Sequence, residues 1–277
     1  MQLELKKFDI SRVQDDNVVV LLGKRKTGKS FLIRDIMYYH RDIPVGSVIS
    51  GSESSNNFYG SMVPKLFIHE DYKPEIIDNI LKRQSAIMKR YNKEKKQYGK
   101  TSIDPRAFLI MDDCLHDNCW KRDKNIRYIF MNGRHRKLMF LLPMQYPLGV
   151  PPDLRTNVDF AFILRENNFN NRKRIYENYA SIFPTFDVFC SVMDVITEGY
   201  GCLVIDNTSM SNKLEECVYW YEAEDHEQYT LGSKIFWQMH NENVKNDEEE
   251  EEEEDVFDMT KFKKRSAIPL TVKKGYR

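Results

Sequence analysis

The sequence predicts an α/β fold, a mostly parallel sheet flanked by helices on both faces. Three observations carry that prediction. Short apolar runs alternate with longer amphipathic stretches, the pattern of strands joined by crossover helices. One run, Val18 to Leu22, leads through a glycine-bearing loop straight into a helical stretch. Another, Ala107 to Met111, ends in two adjacent carboxylates, Asp112 and Asp113.

Taken in order, Val18 to Leu22 is unbroken β-branched and aliphatic sequence, as a strand buried on both faces requires. Ser30 to Tyr39 reads as the helix that follows it. Val45 to Ser50 and Lys65 to His69 read as strands, and Pro74 to Gln97 as a long, heavily charged helix. Phe108 to Asp112 is the next strand, then a helix over Arg122 to Asn132 and a strand over Lys137 to Leu142. Asp159 to Leu164 is a strand, Asn171 to Ile182 and Thr185 to Thr197 are helices, and Gly201 to Asp206 is a strand. Cys217 to Glu222 suits a late edge strand. No internal repeat is visible.

A chain of 277 residues, 41% hydrophobic, suits one large α/β domain, or one domain with an appendage. Charge is balanced overall, 42 basic against 42 acidic residues, but unevenly distributed. From Asn246 onward lie seven of the basic and ten of the acidic residues, so the remaining body carries +3. That lean is too small to establish a nucleic-acid partner. The acidic run Asp247 to Asp255 self-repels and has nothing apolar to bury, so disorder is expected there. Residues 1–240 are therefore expected to form the folded body, and 241–277 an acidic, then basic tail. Five cysteines without paired zinc spacing point to reduced thiols rather than a metal site. The N-terminus lacks an apolar signal core and no stretch reaches spanning length, so a soluble intracellular protein is expected.

The loop after the first strand reads Gly23, Lys24, Arg25, Lys26, Thr27, Gly28, Lys29, Ser30, which fits GxxxxGK[ST] in its strand–loop–helix context. Gly23 and Gly28 permit a backbone that aims successive N–H groups at phosphate oxygens. The helix that follows adds its positive N-terminal end. Lys29 suits the β- and γ-phosphates, and the Ser30 hydroxyl suits Mg²⁺. Lys24, Arg25 and Lys26 make the loop unusually cationic, either as solvated charges or with one reaching the γ-phosphate.

An acid at the end of a strand can hold Mg²⁺ through its water shell, which suits Asp112. Asp113 suits a second role, orienting or deprotonating an attacking water, against the alternative of capping the next turn. If the Lys137 to Leu142 strand lies beside that of Asp112, Gln145 falls near the γ-phosphate and can position water there. Arg90, Arg134, Arg136 and Arg155 are candidates for an arginine finger, each with a surface or structural role as its alternative.

With these motifs assembled, the chain resembles the DNA-packaging ATPases of nucleocytoplasmic large DNA viruses, poxvirus type, within the FtsK/HerA class of P-loop NTPases. The resemblance rests on GKRKTGKS, VISGSESSNNFYGSMVPKLFIHEDY, FLIMDD and NGRHRKLMFLLPMQYPLGVPPDLRTNVDFAF, and spans Val18 to Trp220. It implies that Gly23 to Ser30 binds ATP, that Asp112 and Asp113 form the Walker B pair, and that Gln145 is a polar sensor. It also implies a trans-acting arginine before the Walker B strand, in an Arg-Tyr context that Arg90-Tyr91 matches loosely. Double-stranded DNA, a homo-oligomeric ring, and capsid or portal-site viral proteins are the implied partners. The implied setting is the viral assembly site in host cytoplasm, or the virion. Many relatives carry Asp-Glu where this chain has Asp112-Asp113. A nucleotide or nucleoside kinase, or a non-motor ATP-binding regulator, is the competing reading.

Overall fold

Val18–Leu22 forms β1, and all five of its side chains are buried. Their alternation explains why both faces of the sheet are covered. Val18, Val20 and Leu22 join one apolar cluster, whereas Val19 and Leu21 join a second with Leu32, Ile33, Ile36 and Met37. The structure, a computed structural model, describes residues 3–112, 114 and 119–243.

After β1 come α1 (Lys29–Tyr39), β2 (Gly46–Ser50), the short α2 (Glu53–Asn56), β3 (Ile68–His69), α3 (Pro74–Tyr98) and β4 (Ala107–Asp112). Then follow α4 (Lys124–Asn132), β5 (Leu138–Met144), the single turn α5 (Pro152–Arg155), β6 (Phe160–Ile163), α6 (Phe169–Tyr179) and α7 (Phe186–Ile196). The chain continues through β7 (Cys202–Asp206), α8 (Leu214–Cys217) and β8 (Val218–Tyr221). The strands make one eight-stranded sheet in the order β3-β2-β4-β5-β1-β6-β7-β8. From β3 to β6 every neighbouring pair is parallel, while β7 runs antiparallel to both β6 and β8. The mostly parallel α/β architecture is the predicted one.

Where boundaries differ, local chemistry explains it. Of Lys65 to His69, only Ile68–His69 pairs as strand; Lys65–Phe67 is a 3₁₀ turn entered from Pro64. Its sole ladder is with Val48 and Ile49 of β2, so this edge has little to extend it. α6 starts two residues earlier than predicted because the Asn168 side chain caps it, accepting from the Asn171 amide at 3.1 Å. It ends at Tyr179, before Phe183 and Pro184 redirect the chain. α4 begins after Asp123, whose carboxylate accepts from the Asn125 amide at 2.6 Å and the Tyr72 hydroxyl at 2.5 Å.

The topology gathers chemistry on one edge. Parallel strands β1, β2, β4, β5 and β6 all end there, and antiparallel β7 begins there. At the opposite edge, the Gln84 side-chain amide of α3 donates to the carbonyls of Pro105 at 2.8 Å and Arg136 at 2.7 Å. Beyond Gln84, α3 continues for about 20 Å at 1.5 Å per residue. From Lys89 onward it is almost wholly exposed.

The chain divides into two units, Met1–Trp237 and Gln238–Arg277. Residues 238–243 of the second are described, and they are helical. The predicted tail lies outside the described residues from 244 onward. Among the described residues, no helix is long and apolar enough to cross a membrane.

Candidate nucleotide site

The loop from Gly23 to Ser30 is shaped by its own backbone chemistry. The Gly23 amide donates to the Met144 carbonyl at 3.0 Å, tying the loop's start to the end of β5. The Thr27 hydroxyl donates to the Lys24 carbonyl at 2.8 Å. Lys26 and Gly28 both adopt left-handed backbone, with φ of 65° and 92°. At Gly28 this favours glycine strongly, because a Cβ there would also sit 3.1 Å from the Tyr200 ring. α1 starts at the next residue, so its first N–H groups and the positive end of its dipole face the loop.

Lys24, Arg25, Lys26, Gly28, Lys29 and Ser30 line a pocket of about 1040 Å³. Asp112, at the end of β4, and Gln145, just past β5, line it as well. β5 separates β4 from β1 in the sheet, so Asp112 and Gln145 approach the loop from the same side. The adjacency of β4 and β5 is the condition on which the Gln145 reading depended. Asp113 lies outside the described residues.

Asp112 is 7% exposed, and Lys29 and Tyr59 are among the residues that hold it. Lys29 Nζ lies 3.7 Å from its Oδ1, and the Tyr59 hydroxyl donates to Oδ2 at 2.9 Å. Tyr59 is itself buried. Burial, together with the charge of Asp112, pushes its phenol well above its ordinary range, so it stays a proton donor. Glu53 fixes the turn that carries it, accepting from the amides of Tyr59 at 3.0 Å and Gly60 at 2.7 Å. Asp112 and the Ser30 hydroxyl supply hard oxygen donors. Among the described residues no group of three His, Cys, Asp or Glu is set to hold a metal. The two oxygen donors, Asp112 and Ser30, are of the kind that suits Mg²⁺, a hard cation.

Lys24 is paired with an acid, although its side chain stays partly exposed. Its Nζ meets Glu166 Oε1 at 2.5 Å, just past the end of β6. Burial raises the Glu166 carboxyl, but Lys24 and the amides of Asn168 and Asn171 outweigh it and hold the group below its usual range.

The four candidate arginines do not line this pocket. Arg90 is exposed on the distal half of α3. Arg134 sits in the 3₁₀ turn Gly133–Arg136 ahead of β5, at the opposite edge of the sheet. There it lines a separate cavity of about 240 Å³ with Asp16 and Asp159. Arg136 donates to the Tyr128 hydroxyl at 3.0 Å and Ser85 Oγ at 2.7 Å. Arg155 donates to the Val150 carbonyl at 2.8 Å and bonds the Asn178 side chain. The last two serve as structural ties. Arg25 does line the pocket and is exposed.

Tyr59, Glu166 and Tyr200 were missed as site residues in the sequence. Tyr59 lies inside a stretch that carried the resemblance, yet nothing local links it to a strand 53 residues away. Glu166 offered a signal, an acid just past a strand end, of the kind that marked Asp112.

Comparison with known proteins gives close relatives in viruses. Uncharacterized protein L437 of Acanthamoeba polyphaga mimivirus is 41% identical over 240 residues, covering 86% of this chain and 84% of that protein. Uncharacterized protein 075L of Invertebrate iridescent virus 6 is 41% identical over 231 residues, covering 79% of this chain and 86% of its own length. No protein-family model matches. Among solved structures, the genome packaging NTPase B204 of Sulfolobus turreted icosahedral virus 2, in complex with AMP, aligns with TM-score 0.52 at 16% identity, over 77% of this chain and all of that one. EssC (ATPases 2 and 3) from Geobacillus thermodenitrificans aligns with TM-score 0.50 at 14% identity, over 86% of this chain and 44% of that one. At such identities the structural matches speak to fold, which they share with this chain.

Proposed function

This chain belongs to the family of large-DNA-virus proteins that includes mimivirus L437 and iridescent virus 075L, and we propose that it is an ATPase that drives viral double-stranded DNA into a capsid. The observation that carries the ATPase half is Lys29 Nζ set 3.7 Å from the buried Asp112 carboxylate, across a pocket at the head of a helix.

In this reading the loop amides and Lys29 bind the β- and γ-phosphates of ATP and neutralise charge that grows there during transfer. Ser30 and Asp112 would hold Mg²⁺, which would supply further charge neutralisation for the transfer. Asp113 takes the proton of the attacking water, and Gln145 orients that water from the end of β5. Arg90 and Arg134 stabilise the transferring phosphoryl group of a neighbouring subunit in a ring. The DNA half draws support from the fold shared with a genome packaging NTPase. It also draws support from α3. Between Lys93 and Lys100 the chain carries four Lys against the single acid Glu94, on a mostly exposed stretch that suits a phosphate surface. Capsid or portal-site proteins and the host-cytoplasmic assembly site follow from a packaging role.

ATP hydrolysis measured with and without double-stranded DNA tests the proposal. Turnover should rise with DNA, and Lys29→Ala should abolish it in both conditions. Transfer of phosphate to a nucleoside acceptor instead of water would make the chain a kinase. DNA-independent turnover would remove the motor reading. Near-normal turnover in Lys29→Ala would end the phosphate-loop assignment.

A further inference from the structure

The far end of the nucleotide pocket carries two aromatic rings that the phosphate chemistry leaves without a task. Sheet order fixes which end that is. Asp112 and Gln145 stand at the ends of β4 and β5, on one side of β1. A triphosphate whose γ-end meets them lies along the loop, and its α-phosphate leaves on the other side, toward β6, β7 and β8. The residue that leads into β7 and the chain leaving β8 both reach this edge. They bring Tyr200 and Glu222 to the same pocket.

Tyr200 is 67% exposed, yet its ring lies against the loop, with Cδ1 3.1 Å from where a Gly28 Cβ would stand. Phe31, 45% exposed, lines the pocket from the first turn of α1. Electrostatics agrees with the direction. The loop end is cationic, whereas Glu222 sets a carboxylate at the Tyr200 end, which repels phosphate and accepts hydrogen bonds from neutral donors. A flat, wettable ring beside an acceptor suits a nucleoside, whose base has a π-face and whose sugar and exocyclic groups donate.

Resting on the ATPase reading, we propose that Tyr200 is the stacking face for the nucleobase, with Phe31 closing the apolar side and Glu222 accepting from the nucleoside's hydroxyl or amino groups. Tyr200 thus binds the part of ATP that the phosphate loop does not touch.

The test is calorimetric titration of the full chain with two ligands in Mg²⁺ buffer, a non-hydrolysable ATP analogue and inorganic tripolyphosphate. Tyr200→Ala should weaken the analogue on the order of tenfold, the usual scale of a lost base stack. It should leave tripolyphosphate binding unchanged, and Tyr200→Phe should bind both like the parent. Equal weakening of both ligands would mean that Tyr200 only shapes the loop through Gly28, and unchanged analogue binding would mean that the base lies elsewhere; either overturns the proposal. A parent protein that binds neither ligand removes the phosphate-loop reading itself, and this inference with it.

Discussion

Asp112 shows how much of the site depends on side chains outside the recognisable motifs. The carboxylate is buried between a cation and a phenol, and the phenol is held by a turn that Glu53 stabilises. The phosphate loop was legible because its meaning is local: glycine spacing, a lysine and a hydroxyl in eight consecutive residues. Tyr59 was not, because its role exists only once β2 and β4 pair and carry Ser50 beside Asp112. Tyr59 is a positioning residue, and Tyr59→Phe should lower the kcat of ATP hydrolysis by about tenfold, the scale of a hydrogen bond to a charged group. KM for ATP should change little, since Lys29 and the loop amides remain. A folded variant with unchanged kcat, or one that loses kcat only in proportion to its unfolded fraction, would reduce Tyr59 to a packing role.

At the scale of elements, apolar periodicity revealed every strand of the sheet to within a few residues, β3 excepted. What it left open was the order of the strands, because neighbours in a sheet are chosen by tertiary packing. That β5 lies between β4 and β1, bringing Gln145 to the loop, is a tertiary fact. The turn of β7 against its neighbours is another, and it delivers Tyr200. The length and charge of α3, Pro74–Tyr98, are legible in the sequence, but its direction is set by tertiary packing. Anchored by Gln84 at the edge away from the pocket, its basic half is separated from the nucleotide chemistry. A DNA surface there predicts a separable defect. Lys93→Ala, Lys95→Ala and Lys96→Ala together should leave DNA-free hydrolysis intact. The slope of log affinity for double-stranded DNA against log salt should fall by about 3, close to 0.9 for each lost phosphate contact. An unchanged slope would take α3 out of the DNA path.

At the scale of the whole molecule, the nucleotide pocket draws no arginine from its own α3 or from the turn that enters β5. Arg90 and Arg134 both belong to parts of the chain that lie away from their own pocket. In a ring, such residues can face the pocket of the next subunit, which is the arrangement proposed. The effect is electrostatic: negative charge builds on the γ-phosphoryl oxygens in the transition state, and a guanidinium supplied by a neighbour lowers that barrier without tightening ground-state binding. In P-loop enzymes such a finger contributes about 10³-fold or more in rate. Isolated protomers should therefore hydrolyse ATP slowly, and specific activity should rise with protein concentration as rings form. The decisive experiment mixes Arg90→Ala, Arg134→Ala or Arg155→Ala with Lys29→Ala, each inactive alone, in oligomers shown by native mass to contain both. One subunit then offers an intact loop and its neighbour an intact arginine, so a fraction of the sites regains turnover. For the true finger, recovered activity should follow the statistical share of such pairs as the mixing ratio is varied. If Arg90→Ala, Arg134→Ala and Arg155→Ala all fail to complement in mixed rings, the result points to an arginine within the subunit, such as Arg25, which is exposed and lines the pocket.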